Sequence, residues 1–202
     1  MKEEAIIKNI SKHITLDEEE KKYFESLLHY RKLEKGDILL NFGDIAKNQY
    51  FVIDGCLRNY SIDENGKEHI IAFACKDWWI SDLYSYITET PSEYIIDALI
   101  PTEVFEIRKR DMEEVYTRIP KFERFFRILF QNSMVNQMRR IRQVISVPAE
   151  ERYKVFIKQH PGIYEEIPLK HIASYLGISP EFLSKIRNKI AHTRFLNLVQ
   201  VL

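Results

Sequence analysis

Much of the reading comes from what this sequence lacks. Its 202 residues include two cysteines, Cys56 and Cys75, and no CxxC pair. A four-cysteine zinc or iron–sulfur site therefore cannot be built within one chain. Glycine occurs six times, scattered over positions 36, 43, 55, 66, 162 and 177, which leaves no GxGxxG or GxxxxGK(S/T) loop to cradle a phosphate. HExxH and GxSxG are absent too, so nothing reads as catalytic, and no metal or cofactor is expected. No run approaches the ~20 apolar residues of a membrane span. The opening MKEEAIIKNI has neither the long apolar stretch nor the cleavage site of a secretory leader. Together these absences predict a soluble protein of the reducing cytoplasm, with no membrane partner and its two thiols buried or idle rather than bridged.

Apolar residues make up 45% of the chain, enough to form a core. Lys and Arg number 30, as do Asp and Glu. That balance hides an asymmetry. Residues 1–120 carry 16 basic and 24 acidic side chains, whereas 121–202 carry 14 basic and 6 acidic. An acidic front and a basic back suggest two jobs in one chain.

The front half opens with a capping-box pattern, Thr15 to Glu18, predicting a helix to about Leu28 with Phe24, Leu27 and Leu28 on its apolar face. Short runs rich in Ile, Val, Phe and Tyr follow, at 38–42, 50–53, 57–62, 69–73, 94–99 and 104–107, broken by Gly, Asp, Asn or Pro. Asn65-Gly66 between two of them is a strong hairpin signal. Their spacing predicts a small antiparallel barrel or roll, interrupted by a short helix at 81–88. After Arg108 the texture turns helical, with helices at 109–117, from Pro120 to about Ser146, and at 148–159. The long helix is apolar on two sides. Phe122, Phe125 and Leu129 suit the chain's own barrel. Phe130, Met134, Met138, Ile141 and Ile145 suit the same helix of a second subunit. Burial inside one domain is the alternative, but Arg139, Arg140 and Arg142 make it costly.

The sharpest motif spans residues 169–188 and fits a helix-turn-helix. Ala173 is small where two helices cross, and Gly177 sits where the tight turn needs positive φ. Ile172, Leu176, Ile178, Leu183 and Ile186 face inward. Ser179 caps the second helix and Pro180 takes its first position. An ordinary helical hairpin is the bland alternative. On the basic half of the chain, the motif points to double-stranded DNA.

With these residues in place, the chain resembles the Crp/Fnr transcriptional regulators over nearly its whole length. Gly36-Asp37-Ile38-Leu39, Gly43-Asp44 and Tyr50–Arg58 resemble their cyclic-nucleotide-binding fold. The long helix and the helix-turn-helix sit where theirs do. The resemblance implies an α+β fold: an N-terminal antiparallel β-roll of the double-stranded β-helix type with flanking helices (1–118), a long dimerisation helix (119–147) and a winged-helix-like helix-turn-helix domain (148–202). It implies a homodimeric DNA-binding regulator that acts near promoters, with RNA polymerase as a further partner. The alternatives are a ligand-binding or protein-interaction module with a degenerate helix-turn-helix, and an enzyme on a barrel scaffold. For the enzyme, His13, His29 and His69 show no ligand spacing.

Two departures from the family pattern stand out. Members that bind cyclic AMP use a Gly-Glu pair and, about ten residues later, an Arg-Ser pair. Anchored on Ala98, those positions here are Ser81-Asp82 and Ser92-Glu93, so the phosphate-binding arginine is absent, with Arg58 or Lys76 as conceivable substitutes. Trp78 and Trp79 could line an effector pocket or fill the barrel mouth. At the C-terminus, His192–Leu202 allows only a short strand or docking tail in place of a full wing, with Phe195, Leu198, Val199 and Leu202 packing on the domain. On the recognition helix, Lys185 could read guanine or touch phosphate, and Ser184 could bond either way. Glu181 could read cytosine or favour the helix dipole. Pro180 replaces the arginine of the cyclic-AMP-binding relatives. Arg187, Asn188 and Lys189 suit phosphates. His171 is expected at the DNA backbone or in solvent rather than on a metal.

Overall fold

The computed structural model describes residues 2–161 and 165–199, except for the side chains of 192–199. Two helices, α1 (Glu3–Ser11) and α2 (Glu18–Ser26), lead into eight strands. These are β1 (His29–Leu33), β2 (Ile38–Leu40), β3 (Asn48–Asp54), β4 (Cys56–Ile62), β5 (Glu68–Cys75), β6 (Trp79–Ile80), β7 (Ile95–Ala98) and β8 (Thr102–Arg108). A short helix, α3 (Leu83–Thr88), interrupts them between β6 and β7. The rest is helical: α4 (Lys109–Arg118), α5 (Lys121–Ser146), α6 (Ala149–Gln159), α7 (Leu169–Leu176) and α8 (Pro180–Val199).

The strands form two four-stranded sheets, ordered β1-β8-β3-β6 and β2-β7-β4-β5, and every pairing is antiparallel. This is the expected roll. The central strands β3, β7 and β8 are mostly buried, whereas β1 at the edge of the first sheet is exposed along His29–Lys32. Side-chain period then assigns the faces. Leu40, Val52, Leu57, Ile96 and Val104 fill the space between the sheets. Their neighbours Phe51, Ile53, Phe105 and Ile107 point out of the first sheet, under Ile6 and Ile10 of α1, Phe24 of α2, Met112 and Val115 of α4 and Phe122, Phe125 and Phe126 of α5. Each such side chain contributes about 1.5–3 kcal/mol when fully buried. The first turns of α5 therefore belong physically to the core of the roll.

Three local expectations need correction. The helix cap lies two residues later than Thr15: the Asp17 carboxylate accepts from Glu20 N, and Glu20 reaches back to Asp17 N. Capping by a carboxylate in a first turn that already holds three glutamates shifts the start to Glu18. The short helix begins at Leu83 rather than Ser81, because Asp82 accepts the amides of Tyr84 and Ser85. Finally, residues 192–199 of the tail are helical rather than a strand, as the last turns of α8, and residues 200–202 lie outside the described residues. No strand follows Arg108 among the described residues. The packing expected of Phe195, Leu198, Val199 and Leu202 falls outside the described side chains. Sequence reading also passed over α1, β1 and β6.

Candidate nucleic-acid interface

The helix-turn-helix forms as its residues dictate. α7 ends at Gly177, whose φ of +67° places it in the left-handed region that glycine enters without penalty. Ser179 Oγ accepts from Phe182 N at 3.2 Å, capping α8 at its N-terminus. Ala173, Ile172, Leu176, Leu183 and Ile186 are buried. The outward side of α8 carries Pro180, Glu181, Lys185, Arg187, Asn188 and Lys189, all exposed, with Ser184 half-buried and Ser179 exposed beside the turn. Lys189 is ion-paired to Glu150 of α6 at 2.7 Å. An exposed aromatic, Phe182, lies among them. Its position on a polar helix face was the available sequence signal, and it went unread.

Along α5 the five stripe residues are solvent-exposed, from 37% at Phe130 to 77% at Ile145, with Val135 and Val144 beside them. This apolar strip is longer than ordinary scattered surface residues need. Arg140 is the exception to a solvated arginine set. Its guanidinium donates to the carbonyls of Ile70 and Ile71 on β5 and of Tyr175 on α7, and it lies 4.3 Å over the Tyr175 ring.

These contacts mark a junction that motif reading did not anticipate. The outer face of the second sheet is covered by the helix-turn-helix unit, and the two share one core. Cys56, Tyr60, Ile70, Phe73, Cys75 and Ile95 meet Tyr153, Phe156, Ile172, Ala173 and Leu176. Ser174 Oγ donates to Glu68 O and accepts from Ile70 N, at 3.1 and 3.0 Å. A charged cluster is buried within this junction. Arg58 grips Asp97 with both Nε and Nη2, at 2.7 and 2.8 Å, and Glu68 with Nη1 at 2.7 Å. Its Nη1 also lies 3.2 Å from His171 Nδ1. His171 is thus neither in solvent nor at a DNA backbone position: it is buried against an arginine. Burial, then the Arg58 charge, pushes its imidazole down to about 4.

The 81–93 segment is closed on itself. Ser92 Oγ donates to Asp82 Oδ2 at 2.6 Å, and both residues are buried. Ser81 Oγ donates to Asn48 O, while Glu93 is exposed. Asp82 is a helix cap with no free oxygen turned to a ligand, since Oδ1 holds the α3 amides and Oδ2 holds Ser92. The possible substitute Arg58 is already held by two carboxylates. The tryptophans divide. Trp79 is core filling against Phe51, Phe125 and Phe126, and its Nε1 donates to Asn9. Trp78 is 41% exposed and lies beside the His160 ring. A cleft of about 770 Å³ opens instead between the β4–β5 hairpin and the helix-turn-helix, lined by Lys67, Glu68, His69, Lys170, His171 and Ser174 among others.

A β-roll, a long helix apolar toward solvent and a helix-turn-helix follow one another along the chain. Known proteins agree. The cyclic nucleotide-binding domain family matches residues 30–118. The anaerobic regulatory protein of Pasteurella multocida is 25% identical, over 87% of this chain and 68% of its own. FixK2 from Bradyrhizobium japonicum superposes with a TM-score of 0.71 at 16% identity, over 83% of this chain and 85% of its own. A regulator from Eubacterium rectale, assigned to the Crp/Fnr family, gives 0.65 at 19%, over 88% and 85%. Residues 30–118 belong to the cyclic nucleotide-binding domain family, and over most of its length the chain is similar to transcriptional regulators of the Crp/Fnr kind. Its relatives of this kind are regulators and not enzymes.

Proposed function

We propose that this protein is a homodimeric regulator that binds double-stranded DNA through the N-terminal half of α8. The observation that carries this reading is the division of α8: Leu183 and Ile186 are buried, while Glu181, Lys185, Arg187, Asn188 and Lys189 are exposed. A recognition helix needs that division, because one face must hold the fold while the other enters the major groove. Lys185, with Ser184 and Glu181, is assigned to base edges. Arg187, Asn188 and Lys189 are assigned to phosphates, and Ser179 and Pro180 set the entry angle of the helix. The second subunit packs through Phe130, Met134, Met138, Ile141 and Ile145. RNA polymerase is the further partner that the family implies. No described helix is long and apolar enough to cross a membrane.

The sensor roll does not take cyclic AMP in the way that uses an arginine fork. The anion would meet Ser92 and Asp82, which satisfy each other, and a buried anion needs a fixed cation or several free donors.

Lys185→Ala tests the DNA assignment. If Lys185 reads a base, discrimination at one operator position relaxes by about 1–3 kcal/mol. If it meets phosphate, affinity falls evenly across sequences and the salt slope shrinks by about one. Unchanged binding to operator and random duplexes alike would refute both assignments.

A further inference from the structure

The two cysteines lie far apart in sequence, and the roll brings them together. Cys56 opens β4, Cys75 closes β5, and the two are direct cross-strand partners. Their backbone groups do not bond to each other: Cys56 N donates to Thr102 Oγ1, Cys56 O accepts from Leu99 N, and Cys75 O accepts from Trp78 N. That makes them a non-hydrogen-bonded pair of the antiparallel ladder, the kind in which Cα atoms approach to about 4.5 Å and side chains come closest. A disulfide can span that separation without backbone movement. The thiols are free and buried, and their sulfurs are 2.9 Å apart. A third group completes the set. His160, the residue that ends α6, places Nδ1 3.6 Å from Cys75 Sγ. It is itself buried among Phe73, Phe156 and the exposed Trp78.

We propose that Cys56 and Cys75 form a reversible dithiol–disulfide couple at the junction of the sensor sheet and the helix-turn-helix unit, oxidised by a hydroperoxide. Cys75 is the attacking sulfur. The Cys56 thiol, hydrogen-bonded to it, and then His160 hold its thiol below the ordinary range, which favours the nucleophilic thiolate. Cys75 sulfur attacks the peroxide. The O–O bond breaks, and the leaving oxygen takes the proton that Cys75 gives up. Cys56 sulfur then attacks the resulting sulfenic acid. The S–S bond forms, the S–O bond breaks, and the departing hydroxide takes the Cys56 proton as water. Two thiols and one hydroperoxide become one disulfide, one water and one alcohol (or a second water from hydrogen peroxide).

The bond would be felt across the junction. His160 faces a thiol that can accept or share a proton, and the disulfide leaves it facing a sulfur with none to share. The C-terminal end of α6 then loses one of its polar ties to the sheet.

The test uses the full-length reduced protein and hydrogen peroxide. The expected result is an intact mass lower by two hydrogens, loss of both thiols to alkylation, and full reversal by dithiothreitol. In Cys56→Ser, the sulfenic acid should persist on Cys75 and be trapped by dimedone. In His160→Gln, oxidation should slow roughly tenfold as thiolate character falls. Hydrogen exchange in α6 and α7 should rise at least several-fold on oxidation of the wild type. Gain of oxygen without disulfide, cross-linking between chains, or unreactive thiols would overturn the couple. A disulfide formed with exchange unchanged would overturn its transmission to the helix-turn-helix unit. The mass measurement needs neither variant and stands whether or not the chain binds DNA.

Discussion

Single residues decide two matters here. The first is what the sensor can hold. Ser92, which the alignment anchored on Ala98 places at the arginine of the cyclic-AMP cassette, has its hydroxyl already given to Asp82. Titration calorimetry with cyclic AMP and cyclic GMP should therefore show no micromolar binding; micromolar binding sensitive to Ser92→Ala would contradict the closed cassette. The second is how pH acts on the junction. His171 is held neutral in the folded protein, its ordinary value of 6.5 lowered to about 4 by burial and by Arg58. Between those values the unfolded chain binds the extra proton and the folded one does not. The contribution is fully present above pH 6.5 and is lost as pH falls toward 4. The carboxylate Glu68, lowered from 4.5, adds its own loss only below that value. Thermal melts of His171→Gln should thus be flatter than wild type between pH 6.5 and 4.5, by about 1–2 kcal/mol. Parallel profiles would mean that His171 is solvated. None of this cluster was legible beforehand. Arg58, Glu68, Asp97 and His171 come from three strands and a helix, and only the packed fold brings them together.

At the scale of elements, the sequence was legible wherever punctuation and period agreed. Six strands are legible because Gly, Asp, Asn or Pro breaks most of the apolar runs, and Gly66 takes the positive φ of +78° that the hairpin requires. β1 was passed over because His29-Tyr30-Arg31-Lys32 is exposed and charged; it becomes a strand only by pairing with β8, over seventy residues away. β6 is two residues long and exists through its pairing with Tyr50 and Phe51. The barrel-facing side of the long helix was readable. Phe122 and Phe125 enter the sensor core as expected, while the Phe130–Ile145 stripe meets solvent. The proposed second subunit would cover this stripe with its own copy of the helix. The double substitution Met138→Glu and Ile141→Glu places four carboxylates in that seam, and sedimentation should find monomers. Met138 and Ile141 are 59% and 61% exposed within one chain, so the folded subunit should tolerate the change, with little shift in its melting temperature. A dimer that survives would remove this helix from the interface.

The whole molecule is less divisible than its motifs suggest. The helix-turn-helix unit shares a core with the second sheet, and Arg140 of the long helix ties both together through the carbonyls of Ile70, Ile71 and Tyr175. The strands β4 and β5, the long helix and the helix-turn-helix thus meet at one place, where the charged cluster and the cysteine pair also lie. A change on β4 or β5 has a direct mechanical route to the helix-turn-helix. The charge asymmetry along the chain is in keeping with the proposed function, since α8 lies in the basic half. The central claim is that two copies of this chain read DNA as a symmetric pair. Selection of bound sequences from a random duplex pool, using the full-length protein, tests it most directly. The account predicts enrichment of an inverted repeat whose half-sites are centred about 10–10.5 base pairs apart, one helical turn. A pool that remains unenriched, or that yields a single unrepeated half-site, would contradict it.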